Sequence, residues 1–279
     1  MIAARPVGQF SEQTFTRPVG ELLRDWRERR RLSQLDLSHS VAVSTRHLSY
    51  VETGRSKPSR TMVLRLAEHL DVPLRDRNQL LLSAGFAPVY SEAGLHSPPM
   101  LAIRAAVRSL LAGHEPNPAL VMDRWWNVVE ANAPVRMMLA TVDPALTRPP
   151  VNVLRLALHP DGLAPRTLNL PEFRAHLLRR LERQVAATAD PELTDLLVEL
   201  RSYPGGDAGF EVPETGEVVV PWRIAYEGME VALLSTVATF GTPLDITVAE
   251  LVIELFFPAD PRSAEVLREL AAAVPPAPE

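Results

Sequence analysis

Two short amphipathic segments, each behind a serine and separated by a three-residue joint, place the strongest constraint on how this chain folds. Ser33 stands where a helix N-cap belongs and is followed by Gln34–Val41, in which Leu35, Leu37 and Val41 are apolar. A serine hydroxyl there accepts a hydrogen bond from a first-turn N–H that has no partner inside the helix. Val41-Ala42-Val43 reads as a tight turn and Ser44 as a second N-cap. Thr45–Thr53 then reads as a second helix with Leu48 and Val51 inward, three apart. Gly54 follows where a helix stops. Two short helices joined by so brief a turn, with basic residues just beyond, follow the pattern of a helix-turn-helix.

The flanks extend the pattern. Leu22, Leu23, Trp26 and Arg30 recur at helical spacing, and Leu22 with Trp26 makes an i, i+4 apolar pair. Ser59 caps a further helix that turns Met62, Val63, Leu66, Ala67 and Leu70 inward and ends before Asp71-Val72-Pro73. In Leu32-Ser33-Gln34, Leu37, Val43-Ser44, Leu48, Val51-Glu52, Gly54 and Pro58, the chain resembles the phage-repressor (Cro/repressor-like, XRE-type) helix-turn-helix family. One departure is Ala42, where that family usually has glycine in the turn; alanine there is strained if φ is positive.

The resemblance implies an all-α domain of five helices whose second helix-turn-helix helix enters the DNA major groove with its N-terminal residues at base edges. The residues it assigns to DNA on that helix are Ser44, Thr45, Arg46, His47, Ser49 and Tyr50. Arg46 suits a bidentate contact to guanine, and the Thr45 methyl suits thymine. The amide of Gln34, at a helix N-terminus, suits a phosphate, as do Arg55, Ser56 and Lys57 just past the recognition helix. The implied partner is double-stranded operator DNA, bound by a homodimer on half-sites about 34 Å apart.

Charge supports a division of labour. Residues 1–90 hold 14 basic and 9 acidic side chains, net +5, whereas residues 91–279 hold 15 and 25, net −10. A basic first third on an acidic remainder points to one module that faces nucleic acid and a second with another task. At about 150 residues per domain, 279 residues make one or two domains. Cysteine is absent, which excludes disulfides and thiolate metal sites. No apolar run approaches the ~20 residues of a membrane helix, and MIAARPVGQFSEQTF lacks the apolar core of a secretory signal. The expectation is a cytoplasmic protein without a membrane partner.

Local composition divides the chain into a flexible tail (1–18), the helix-turn-helix domain (19–90), a linker with a connecting helix (91–117), a second domain (118–274) and a frayed tail (275–279). Phe86–Met100 collects Pro88, Gly94, Pro98 and Pro99, and a helix at Leu101–Ala112 follows. In the second domain Ala119–Met122 and Trp126–Glu130 read as a hairpin broken at Asp123-Arg124, and Asn132 caps a helix with Val135, Met138 and Leu139 inward. Helices follow at Asn152–Leu158, Pro171–Ala189 and Pro191–Leu200, and then β-rich segments at Glu217–Trp222, Met229–Val237 and Glu250–Phe257. Two strands, several helices and three strands is the order of a PAS-type domain, an antiparallel sheet with helices over one face and a cavity between them. The fold class is therefore α+β.

This second domain, behind a repressor-like helix-turn-helix, resembles the MmyB-like regulators. Trp126, Val128 and Asn132 match a Trp-x-Val-x-x-x-Asn pattern, Pro213, Gly216 and Glu217 match a strand opening, and Leu251–Phe257 with Pro258-Ala259-Asp260 matches the closing strand and turn. Trp222 stands where that family usually has tyrosine, and Ser202–Phe210 lacks its arginine-rich pattern. The resemblance implies a pocket for a hydrophobic small molecule, a fatty-acyl chain among the candidates, walled by Trp126, Met137, Met138, Phe173, Leu177 and Trp222. Methionine suits adaptable pocket walls.

Other classes lack their chemistry. The last histidine is His176, so residues 177–279 cannot supply the histidine-rich strands of a metal-binding cupin barrel. His114-Glu115 continues Pro116-Asn117-Pro118 rather than completing H-E-x-x-H. There is no G-x-S-x-G elbow and no phosphate-binding glycine loop. No catalytic centre, metal or cofactor is expected. The sequence leaves open a protein-interaction adaptor, or a PAS-like module that only dimerises.

Overall fold

The structure, a computed structural model, describes residues 17–206, 219–226 and 228–272. The chain divides into two units. One holds the described residues through Gly94 together with Thr242–Ala249; the other holds Leu95–Gly241 and the described residues from Glu250 onward.

The first unit is helical: α1 (Val19–Arg29), α2 (Gln34–Ser40), α3 (Thr45–Glu52), α4 (Arg60–His69) and α5 (Leu74–Ser83). The expected serines start three of them. Ser33 Oγ accepts from Asp36 N–H while the Asp36 carboxylate accepts from Ser33 N–H, a reciprocal capping box. Ser44 and Ser59 accept from His47 N–H and Met62 N–H. All five helices end alike, with a left-handed residue after the last turn: Arg31 (φ 56°), Ala42 (φ 52°), Gly54 (φ 73°), Asp71 (φ 47°) and Gly85 (φ 84°). At α2, Ala42 N–H donates to His39 O and Val43 N–H to Ser38 O, which satisfies two orphan carbonyls.

Leu23, Leu37, Leu48, Leu66, Leu70, Leu80 and Leu81 are fully buried at the centre of this unit. Leu35, apolar in sequence, is 52% exposed, because the seven-residue α2 has one inward face and Leu37 occupies it. Gly20 is required by packing: a Cβ there would lie 2.2 Å from Val51 O, so α1 meets the end of α3 backbone to backbone. Beyond α5, Asn78 is buried and accepts from the N–H groups of Val89 and Tyr90 while donating to Tyr90 O. Asp245 closes the unit, accepting from Ser91 Oγ at 2.7 Å and Ala93 N–H at 3.0 Å.

The second unit opens with α6 (Leu101–Gly113) and the hairpin β1 (Ala119–Met122) and β2 (Val128–Ala131). Next come α7 (Ala133–Leu139), α8 (Val153–Leu158), α9 (Leu170–Thr188) and α10 (Pro191–Ser202). Then β3 (Trp222–Tyr226), β4 (Met229–Ala238) and β5 (Val252–Pro258) complete the sheet. The short α11 (Ile246–Ala249), in the β4–β5 connection, belongs to the helical unit. A helix not read from the sequence, α12 (Pro261–Ala272), follows β5. It buries Val266 and Leu267, and its Ser263 Oγ accepts from Ala232 N–H of β4.

The sheet is antiparallel throughout, in the order β2-β1-β5-β4-β3. Alternation along β1 sends Leu120 and Met122 into the main core with α7–α10, and Ala119 and Val121 to the opposite face, where Val107 and Leu111 of α6 cover them with Leu251 and Ile253. The β-rich segments sit differently at two places. β2 begins at Val128 rather than Trp126, because Trp126 takes a left-handed conformation (φ 66°) that no strand residue adopts. β3 spans Trp222–Tyr226; of the segment read as 217–222, residues 217 and 218 lie outside the described residues, and Pro221 has no N–H for a ladder. Pro213, Gly216 and Glu217 lie outside the described residues.

Two buried asparagines fasten the hairpin. Asn132 accepts from Ala119 N–H and donates to Asn117 O at 2.8 Å. Asn152 caps α8 through Leu154 and Arg155 N–H and donates to Trp125 O at 2.8 Å.

Candidate nucleic-acid interface and apolar cavity

α3 is held from beneath by charge as well as by packing. Glu52, at its last turn, is buried and receives Arg27 Nε at 2.7 Å and Nη2 at 2.9 Å. That Glu52 pair holds the Arg27 guanidinium above its usual pKa. Gln34 Nε2 donates to the same carboxylate at 2.7 Å. The amide assigned to phosphate is therefore bound inside the fold; what Gln34 leaves toward solvent is its place at the α2 N-terminus. From α4, Arg65 donates to Val41 O at the end of α2. Neither Arg27, Glu52 nor Arg65 was read from sequence as part of this site, because their partners are 24 or 25 residues away.

The outer face of α3 carries most of the remaining assigned residues. Ser44 caps the helix, and Thr45 Oγ1 lies 2.8 Å from Ser38 Oγ, so both hydroxyls have internal partners. Arg46 is exposed; its Nε donates to Tyr50 Oη at 3.0 Å and its guanidinium lies 5.4 Å from the tyrosine ring centre. The Arg55 guanidinium lies 6.0 Å from the same ring. His47, Ser49 and Ser56 are half-buried, and Lys57 is exposed. Among the described residues Arg46, Arg55 and Lys57 have no carboxylate partner. They present uncompensated positive charge beside the N-terminus and end of one helix.

The second unit encloses an apolar cavity of about 70 Å³ between α7–α9 and the sheet. Of the six wall residues assigned from sequence, Trp126, Met138, Phe173, Leu177 and Trp222 line it. Met137 instead lines an adjoining cavity of about 40 Å³, with Ile224, Tyr226 and Leu267. Consecutive helical residues point about 100° apart, so Met137 and Met138 part company, and Met138 borders both spaces. Phe173 stacks on Trp222 at 5.3 Å between ring centres, and Trp222 Nε1 donates to Thr167 Oγ1 at 3.1 Å. This is the usual condition for burying an indole.

Trp126 is the most constrained wall residue. Its backbone is left-handed, its Nε1 donates to Gln184 Oε1 at 2.8 Å, and the Arg180 guanidinium lies 4.4 Å from its ring centre. Gln184 in turn donates to Arg124 O. The loop before it turns on Asp123, whose carboxylate accepts from Trp125 N–H, Asn127 N–H and Asn127 Nδ2; burial still pushes this carboxyl above its ordinary pKa. Strain at a non-glycine residue persists where the surroundings over-determine it, and such sites cluster at ligand clamps.

Polar groups are few in the wall: His176, Ser235 and Glu254. None was marked as a wall residue from sequence. Among the described residues no group of three or more histidine, aspartate or glutamate side chains is arranged to hold a metal. No described helix is long and apolar enough to cross a membrane.

A helix-turn-helix unit that exposes Arg46, Arg55 and Lys57, followed by an α+β unit around an apolar cavity, defines a ligand-regulated transcription regulator. Residues 18–80 match the family model of a helix-turn-helix domain, and residues 103–270 match that of the MmyB-like transcription regulator ligand binding domain. The second match spans more than half of the chain, which thus belongs to the MmyB-like regulator family. No curated protein matches the chain at a significant level.

Proposed function

We propose that the protein binds a specific operator as a homodimer, and that a hydrophobic small molecule in the cavity of the second unit changes its affinity for DNA. One observation carries the DNA half. α3 is fixed from within by Gly20 and the Arg27–Glu52 pair, while Arg46, Arg55 and Lys57 stand outside without carboxylate partners. Arg46 reads base edges, aligned by Tyr50, and Arg55 and Lys57 meet phosphates. Half-sites would lie about one helical turn apart, ~34 Å.

The cavity supports the ligand half. Its aromatic and methionine walls suit an alkyl or acyl chain, and fatty-acyl compounds are the first class to try. A ligand shifts DNA binding only by binding two states of the protein unequally. Native mass spectrometry of the full-length protein, with organic extraction, tests both halves. A dimer carrying one apolar molecule per chain is the expected result; an empty monomer that selects no operator from genomic DNA would overturn the proposal.

A further inference from the structure

The cavity wall holds one buried carboxylate. Glu254 is 5% exposed and its Oε1 accepts from Arg180 Nη1 at 3.0 Å. No other hydrogen bond reaches it among the described residues. A buried carboxylate has about four lone-pair sites to fill. Arg180, which neutralises it, does not line the cavity; it turns to the ring of Trp126 instead. Of the pair, Glu254 is the member that lines the cavity.

The other two polar wall residues stand beside it. Ser235 pairs with Phe256 across β4 and β5, and Glu254 lies two residues before Phe256, on the same face of β5. That diagonal brings the two side chains within reach of one small group. His176 lies one helical turn before Arg180 on α9, in the field of Arg180 and Arg179, with Glu254 opposing them and Arg183 adding to them. Neither the His176 ring nor Ser235 Oγ has a hydrogen bond among the described residues. Burial, and then Arg180, holds His176 below its ordinary pKa, which favours the neutral ring. Val237, directly opposite Glu254, is 50% exposed. The polar corner thus lies where the cover of helices ends, with the aromatic walls deeper in.

Resting on the reading of this cavity as the ligand site, we infer that its ligand is an apolar chain whose head group donates a hydrogen bond, a hydroxyl or an amine, received by Glu254 with His176 and Ser235 beside it. A free carboxylic acid is disfavoured, since its anion would face a second anion in a low-dielectric wall.

The test is a matched series of ten-carbon probes, 1-decanol, decylamine and decanoate, each titrated into the full-length protein below its micelle concentration. Emission from the wall tryptophans Trp126 and Trp222 reports occupancy. Decanol and decylamine should each bind at least roughly tenfold more tightly than decanoate, the size of one charge-assisted hydrogen bond. Glu254→Gln should remove most of that preference and weaken decylamine most. If that variant fails to fold, Ser235→Ala serves instead, weakening decanol and leaving decanoate unchanged. Decanoate binding as tightly as decanol would overturn the donor assignment and leave the cavity standing as a ligand site. Failure of all three probes to bind would remove the cavity reading and this inference with it.

Discussion

Arg27 and Glu52 form a two-point ion pair, at 2.7 and 2.9 Å, between α1 and the last turn of α3, with the Glu52 side chain 1% exposed. The pair is joined by Gln34 from α2, and Arg27 Nη1 also donates to Leu32 O. Three helices meet at one carboxylate, which sets the angle at which α3 leaves the unit. Removing the cation alone strands a buried anion, so Arg27→Leu should cost about 3–5 kcal/mol. Arg27→Leu with Glu52→Leu should recover most of that. Urea unfolding of the two variants checks both outcomes; equal losses in the single and double variants would show that the pair does not act as a unit.

The turn of the helix-turn-helix stores strain at one alanine. Ala42 sits at φ 52°, a conformation that costs an L-residue about 1–2 kcal/mol. Glycine relieves it but gains freedom in the unfolded chain. Ala42→Gly should raise stability by about 0.5–1 kcal/mol without altering DNA binding. Gly20→Ala is the opposite case: its methyl would meet Val51 O at 2.2 Å, and α1 must move off α3. Thermal melting should rise for the first variant and fall for the second, and operator binding should fall only for the second.

Arg46 and Lys57 should separate two kinds of DNA contact. Arg46→Ala is expected to weaken operator binding by about 1–3 kcal/mol and to relax preference at one base position. Lys57→Ala should weaken binding to every sequence alike and lower the salt slope by about one. Gel shifts on operator and random duplexes over a salt series distinguish them. If both variants lose affinity equally on both duplexes, α3 does not read bases.

A pH effect follows from His176. Its folded pKa is lowered, by burial first and by Arg180 next. The unfolded chain therefore binds more protons than the folded one as pH falls through the usual histidine range, about 6.5, and stability drops there. Above that range the effect vanishes, because both forms are neutral. His176→Phe should flatten the part of the pH–stability curve just below neutrality. A curve unchanged by the substitution would show that His176 is solvated in the folded state.

What could be read from residues alone was local. Ser33, Ser44, Ser59 and Asn132 all cap helices where they precede an apolar period, because a cap contacts only the next two or three residues. The helix-turn-helix was legible for that reason, and so was the order of strands and helices in the second unit. α12 went unread although Asp260 and Pro261 open it and Val266, Leu267 and Leu270 recur at helical spacing.

The tertiary structure decided the rest. It turned the Gln34 amide inward onto Glu52, placed Met137 on the smaller cavity alone while Met138 borders both, and drew Trp126 into a left-handed turn. It also put Glu254, a residue that sequence places on solvent by default, into the cavity wall with Arg180 behind it. The Gln34 and Glu254 placements depend on a partner from a different element, 18 and 74 residues away. Caps and apolar periods act within a few residues and are written in order along the chain. The burial of a charge or an amide is decided by which distant group arrives to satisfy it, and only the assembled fold brings the two together.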